Sequence, residues 1–186
     1  MTAKIDKISV AVAHLEAACL LVIRENYDVP AHTLISAAKA IIWDLSKDNV
    51  NPIVNKLDQV LYSRLETSEK QKIWRKYRNE KANFFKHADK DPDNNLDIQY
   101  LKETNDVELL LCIMGLLGRQ DGLTPKLTIG LLHCRFSVGD WFNIEEMLED
   151  ATNCEEAFIQ LHNLTDAERR DIFLELFDSN NARLKT

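Results

Sequence analysis

The chain has 186 residues, 45% of them hydrophobic and 28% charged, with 4 Pro and 4 Cys. This balance excludes disordered, collagen-like and coiled-coil chains and is long enough to bury a core without a disulfide or metal staple. Thirty acidic against 23 basic side chains leave a net charge of −7, which excludes a surface built throughout to hold nucleic acid or anionic lipid. The five glycines, Gly115, Gly118, Gly122, Gly130 and Gly139, lie in one 25-residue window. A β-rich domain would need glycine in its turns before that window, so the composition predicts an all-α fold.

In chain order, Ile5, Ile8, Val12, Leu15, Cys19, Val22 and Ile23 recur at three- and four-residue steps and predict an amphipathic helix from about Lys4 to Glu25. Its charged residues His14, Glu16 and Arg24 exclude the apolar stretch of a signal peptide. Pro30 suits the first turn of a second helix, Ala31 to Leu45, whose alanines allow a close neighbour. Val54, Leu57, Leu61 and Leu65 mark a third stripe, and Ser68 with Gln71 has the form of a capping box opening a fourth helix to about His87. Asp91-Pro92 ends any helix, and Leu96 to Tyr100 alternates as a short extended piece would. Thr104 or Asn105 is expected to cap an apolar helix through Leu117, too short to span a membrane. Thr124-Pro125 starts another, ending near Cys134, and Asn143/Glu146 and Thr165/Glu168 are further cap-type pairs. The last helix is expected to end near Phe177.

The resulting expectation is a single-domain helical bundle of roughly seven to nine helices over 1–178. Its core bundle spans about 4–118 and its C-terminal helices about 124–178, followed by a frayed tail at 179–186. Cys19, Cys112, Cys134 and Cys154 form no Cys-x-x-Cys pair and read as reduced core thiols of a cytoplasmic protein.

One segment departs from the mean charge. Between Lys70 and Lys86 stand seven basic residues, Lys70, Lys72, Arg75, Lys76, Arg78, Lys81 and Lys86, and one acidic residue, a local charge of +6 that leaves −13 for the remainder. Trp74, Tyr77, Phe84 and Phe85 are interleaved, the pairing of cations with π-faces that a nucleotide or single-stranded nucleic acid uses. The same rings fall mostly on one helical face, where they also serve as core beneath a solvated basic back. Asn83 and His87 share a face four residues apart, and His87 adjoins Asp89, so it has the surroundings of an acid/base group or of a C-terminal helix cap.

The stretch Asn83-Phe84-Phe85-Lys86-His87-Ala88-Asp89-Lys90-Asp91-Pro92, with Pro30-Ala31-His32-Thr33-Leu34-Ile35-Ser36-Ala37-Ala38 upstream, resembles a widespread family of all-helical bacterial proteins of unassigned function, over roughly residues 5 to 115. The chain also resembles the helical bundles called HEPN domains, whose ribonuclease motif is an arginine, a polar residue, three further residues and a histidine. Asn83 and His87 match the last two, while Ala82 stands at the arginine position. The resemblance implies a ribonuclease alternative, with His87 as acid/base, Asn83 as positioner and Arg78 or Lys81 as charge stabiliser.

Asp89, Asp91, Asp93 and Asp97 fall at positions 1, 3, 5 and 9 of a calcium-loop count, but Asn94 replaces the glycine and Tyr100 the bidentate glutamate. Asp89, Asp91 and Asp93 are therefore weak candidate ligands that leave a metal-binding protein as a second alternative, while no cofactor is expected. His32 with His87 would form a transition-metal site only if their helices converged. The function that follows is a binding module without catalysis, its partner a protein or a nucleotide-containing molecule and not a membrane. Its contacts would be Lys72, Arg75, Lys76, Arg78, Lys81, Lys86, His32 and Asp89. A homodimer is compatible with this reading.

Overall fold

The computed structural model describes residues 4–25, 27–46, 67–72, 76, 79, 84, 101–117, 123–138 and 155–183. They form helices and their connections, with no strand among them. The helices are α1 (Lys7–Ile23), α2 (Asp28–Ser46), α3 (Leu101–Leu117), α4 (Pro125–Val138), α5 (Glu155–His162) and α6 (Asp166–Arg183), and helical backbone also begins at residue 68. The third stripe at residues 54–65, the extended piece at 96–100, the Asn143/Glu146 pair and the Cys154 side chain lie outside the described residues.

Local sequence sets most helix starts. The Asp6 carboxylate accepts hydrogen bonds from the Ser9 amide at 2.9 Å and the Ser9 hydroxyl at 2.6 Å, so α1 starts at Lys7 and not at Lys4, and Ile5 is left exposed. Pro30 sits in the first turn of α2, ahead of the Ala31 amide that donates to the Tyr27 carbonyl, where a missing N–H costs nothing. Thr67, one residue before the expected cap, accepts from the Lys70 amide. Thr124 opens α4 through its bond from the Leu127 amide, and α4 continues to Val138, a turn past the expected end.

Thr165 and Glu168 form the expected capping box, each bonding the other's backbone amide. α6 corrects the expectation of a stop near Phe177 and of a frayed tail over residues 179–183: it runs to Arg183, and residues 184–186 lie outside the described residues. Ser179 and Asn180 turn their side chains back onto the Glu175 and Leu176 carbonyls, so these polar residues satisfy helical backbone instead of ending it.

α3 is the axis of the structure. From Thr104 to Leu116 every residue is buried, and α1, α2 and α4 pack around it. α1 and α2 form an antiparallel hairpin, drawn close by Ala11, Ala18, Ala31 and Ala38, all fully buried. Phe173 and Phe177 fasten α6 to α4 and α1, each ring contributing about 1.5–3 kcal/mol by its removal from water. Cys19, Cys112 and Cys134 are buried and in no disulfide. No helix among the described residues is long and apolar enough to cross a membrane.

Candidate functional site

The first turns of α3 bring polar side chains into the core. Thr104 and Asn105, expected as helix caps, lie inside the helix and are buried with Asp106 and Glu108. Buried polar groups must be bonded to be tolerated, and Asn105, Asp106 and Glu108 each reach another helix. Asn105 Oδ1 accepts from His32 Nδ1–H at 2.9 Å, while Asn105 Nδ2 donates to the Asp28 carbonyl at 2.9 Å, an arrangement that fixes both the amide orientation and the imidazole tautomer. Glu108 pairs with Lys39 at 2.6 Å, and the same ammonium lies 5.7 Å from the centre of the Trp43 ring.

Asp106 engages α4 twice. Its carboxylate takes a hydrogen bond from His133 Nε2–H at 3.3 Å, and its carbonyl accepts from the Cys134 thiol. Burial pushes the Cys19 and Cys134 thiols well above the ordinary cysteine range, so neither supplies the thiolate that nucleophilic or metal-binding chemistry needs. Among the described residues, no three metal-ligating side chains cluster.

Partly exposed His133 and buried Asp106 line a cavity of about 340 Å³ where the C-termini of α1 and α4 meet the N-termini of α3 and α6. Ile23, Phe136 and Phe173 form its apolar wall, and the His133 ring stands edge-on to Phe173 with centroids 6.4 Å apart. Ser137 lies one turn beyond His133 on the same face of α4. The Arg169 guanidinium is fully engaged: it stacks 4.5 Å from the centre of Phe136, donates to the Leu161 and Leu164 carbonyls and pairs with Asp166.

At the mouth, Glu25 holds two cations from different helices. Its Oε1 meets Lys102 Nζ at 2.9 Å and its Oε2 meets the Arg170 guanidinium at 2.6 Å. The Lys102 hydrogen bond, with the charges of Lys102 and Arg170, holds the Glu25 carboxyl below the usual glutamate range, and the Glu25 hydrogen bond raises Lys102 in turn. Nearby Asp28 is raised, chiefly by burial. Glu25 follows the end of α1 with φ of 56°, the left-handed conformation that glycine usually supplies at this place in a helix terminus.

Few of the residues singled out in the sequence fall in this cavity or in the described structure. Lys72 and Lys76 are exposed on helical backbone. Arg75, Arg78, Lys81, Asn83, Lys86, His87, Asp89, Asp91 and Asp93 lie outside the described residues. His32 is not at the surface, where a partner contact would have to be: it is 3% exposed, and its ring joins α2 to Asn105 of α3. The cavity residues left little trace in the sequence, where Asp106 stands in the polar stretch from Lys102 to Glu108 ahead of the apolar run. His133 pairs with that aspartate 27 residues upstream, not with its neighbour Cys134. No protein-family model matches the chain, and no curated protein or solved structure is significantly similar to it.

Proposed function

We propose that the protein is a helical binding module that recognises a nucleotide-containing anionic partner through the basic segment 70–86. The observation that carries this reading is the charge of +6 over that segment in a chain of −7, with Lys70, Lys72 and Lys76 each exposed on helical backbone. A patch opposite in sign to the rest of the molecule steers one class of partner and repels the other. The interleaved aromatic residues favour a partner with bases to stack over one with acidic side chains alone.

The double variant Lys72→Glu, Lys76→Glu tests it against a single-stranded RNA oligonucleotide at low salt. Both positions are exposed, so the melting temperature stays nearly unchanged. Affinity falls, and the slope of log affinity against log salt decreases by about one per lysine. Binding equal to that of the unsubstituted chain overturns the reading. The same samples, run on a gel, read the ribonuclease alternative: cleavage that disappears in His87→Ala would replace binding with catalysis as the function.

A further inference from the structure

The cavity between α1, α3, α4 and α6 has a chemistry of its own. Lys102 and Arg170 converge on a single carboxylate, each meeting a different oxygen, which is how a protein grips a carboxylate ligand. The carboxylate they grip belongs to the chain itself. Glu25 reaches it from a left-handed backbone position on the short link between α1 and α2. This conformation costs any residue but glycine. The two ion pairs repay little of that cost, because the side chains of Glu25 and Lys102 are 40% and 50% exposed and exposed pairs contribute weakly to stability. Glu25 is thus held loosely by a receptor that suits any carboxylate.

We propose that this cavity binds a small amino or hydroxy carboxylate, whose carboxylate replaces that of Glu25 between Lys102 and Arg170. The remaining lining selects the rest of the ligand. Asp106 and Ser137 offer acceptors for an ammonium or hydroxyl group, and Phe136, Phe173 and Ile23 form an apolar wall for a side chain. Glu103 and Asp166 also line the cavity and disfavour a dianionic phosphate in the same place. A volume of about 340 Å³ lies at the small end of the range for ligand pockets and suits a molecule of amino-acid size. Glu25 acts as an internal competitor, so the apparent affinity is lowered by the fraction of molecules in which it is seated.

The experiment is a thermal-shift and calorimetric titration of the full chain with the twenty common amino acids, their hydroxy-acid counterparts, and amines that lack the carboxylate. At least one amino or hydroxy carboxylate is expected to bind saturably and the matching amine not to bind. Glu25→Gly removes the competitor and relaxes the backbone, and tightens that ligand by about tenfold if Glu25 is seated in nine molecules of ten. Glu25→Gln, which keeps the side chain, serves in its place if the glycine variant does not fold. Arg170→Met in the Glu25→Gly background abolishes the gain. The proposal is overturned if no carboxylate binds the unsubstituted chain or either Glu25 variant, if the amines bind equally well, or if Arg170→Met leaves binding unchanged.

Discussion

Gly130 shows how closely the helices approach one another. It lies on the buried face of α4 where α1 crosses, and a Cβ added there would overlap the Cys19 sulfur and crowd Ile113. Gly130→Ala is expected to destabilise the fold by about 1–3 kcal/mol through overpacking, measured by denaturant unfolding. Cys19→Ala in the same chain should recover part of the loss, because contacting residues are coupled energetically; purely additive losses would show that the two do not meet. Glu25 poses a different problem at the same scale. Its carboxyl titrates below the usual glutamate range in the folded chain. Its contribution is therefore complete above the unfolded value of about 4.3 and is lost as pH falls through the lower folded value. Glu25→Gln should flatten the acid limb of stability against pH between about pH 5 and 3, and an unchanged limb would mean that the Lys102 and Arg170 contacts do not persist in solution.

At the scale of single helices, local chemistry was legible where the partner lies within one turn. Thr165 and Glu168 were recognisable as a capping box because both halves of the motif sit three residues apart. Thr165→Ala is expected to cost about 0.5–2 kcal/mol, read as a fall in unfolding midpoint with the slope preserved. Thr104 and Asn105 carry the same residue types and were expected to cap α3, yet they lie in its interior. A short polar side chain before an apolar run bonds either its own helix end or a neighbouring helix, and its spacing along the chain is the same in both cases. Ser179 and Asn180 show the converse, since residues that favour helix ends here bond back to carbonyls three and four residues earlier and the helix continues.

At the scale of the molecule, the polar contacts of α3 tie the helices into one arrangement. Asn105 links α2 to α3 through His32 and Asp28, and Asp106 links α3 to α4 through His133. Asn105→Ala removes the acceptor of the His32 Nδ1–H and is expected to destabilise by about 1–3 kcal/mol. Asn105→Leu restores the volume without either hydrogen bond and should cost at least as much, whereas it would cost less than the alanine variant if the residue acted by volume alone. The resulting rank of midpoints, measured by thermal unfolding across pH 5 to 8, distinguishes hydrogen bonding from packing.

The amino-acid sequence by itself determined that this chain is helical, that α3 is an apolar helix, and that Cys19, Cys112 and Cys134 are core residues. These properties depend on composition and on three- and four-residue periodicity, which each helix expresses before it meets another. Only the tertiary structure decided that Glu25 meets Arg170 across 145 positions, that Asp106 meets His133, and that His32 turns inward to Asn105. Which side chains meet across helices depends on the rotation of each helix about its axis and on where the helices cross. Both are set by how large and small residues interlock over the whole core, and neither is written in the spacing of residues along any one helix.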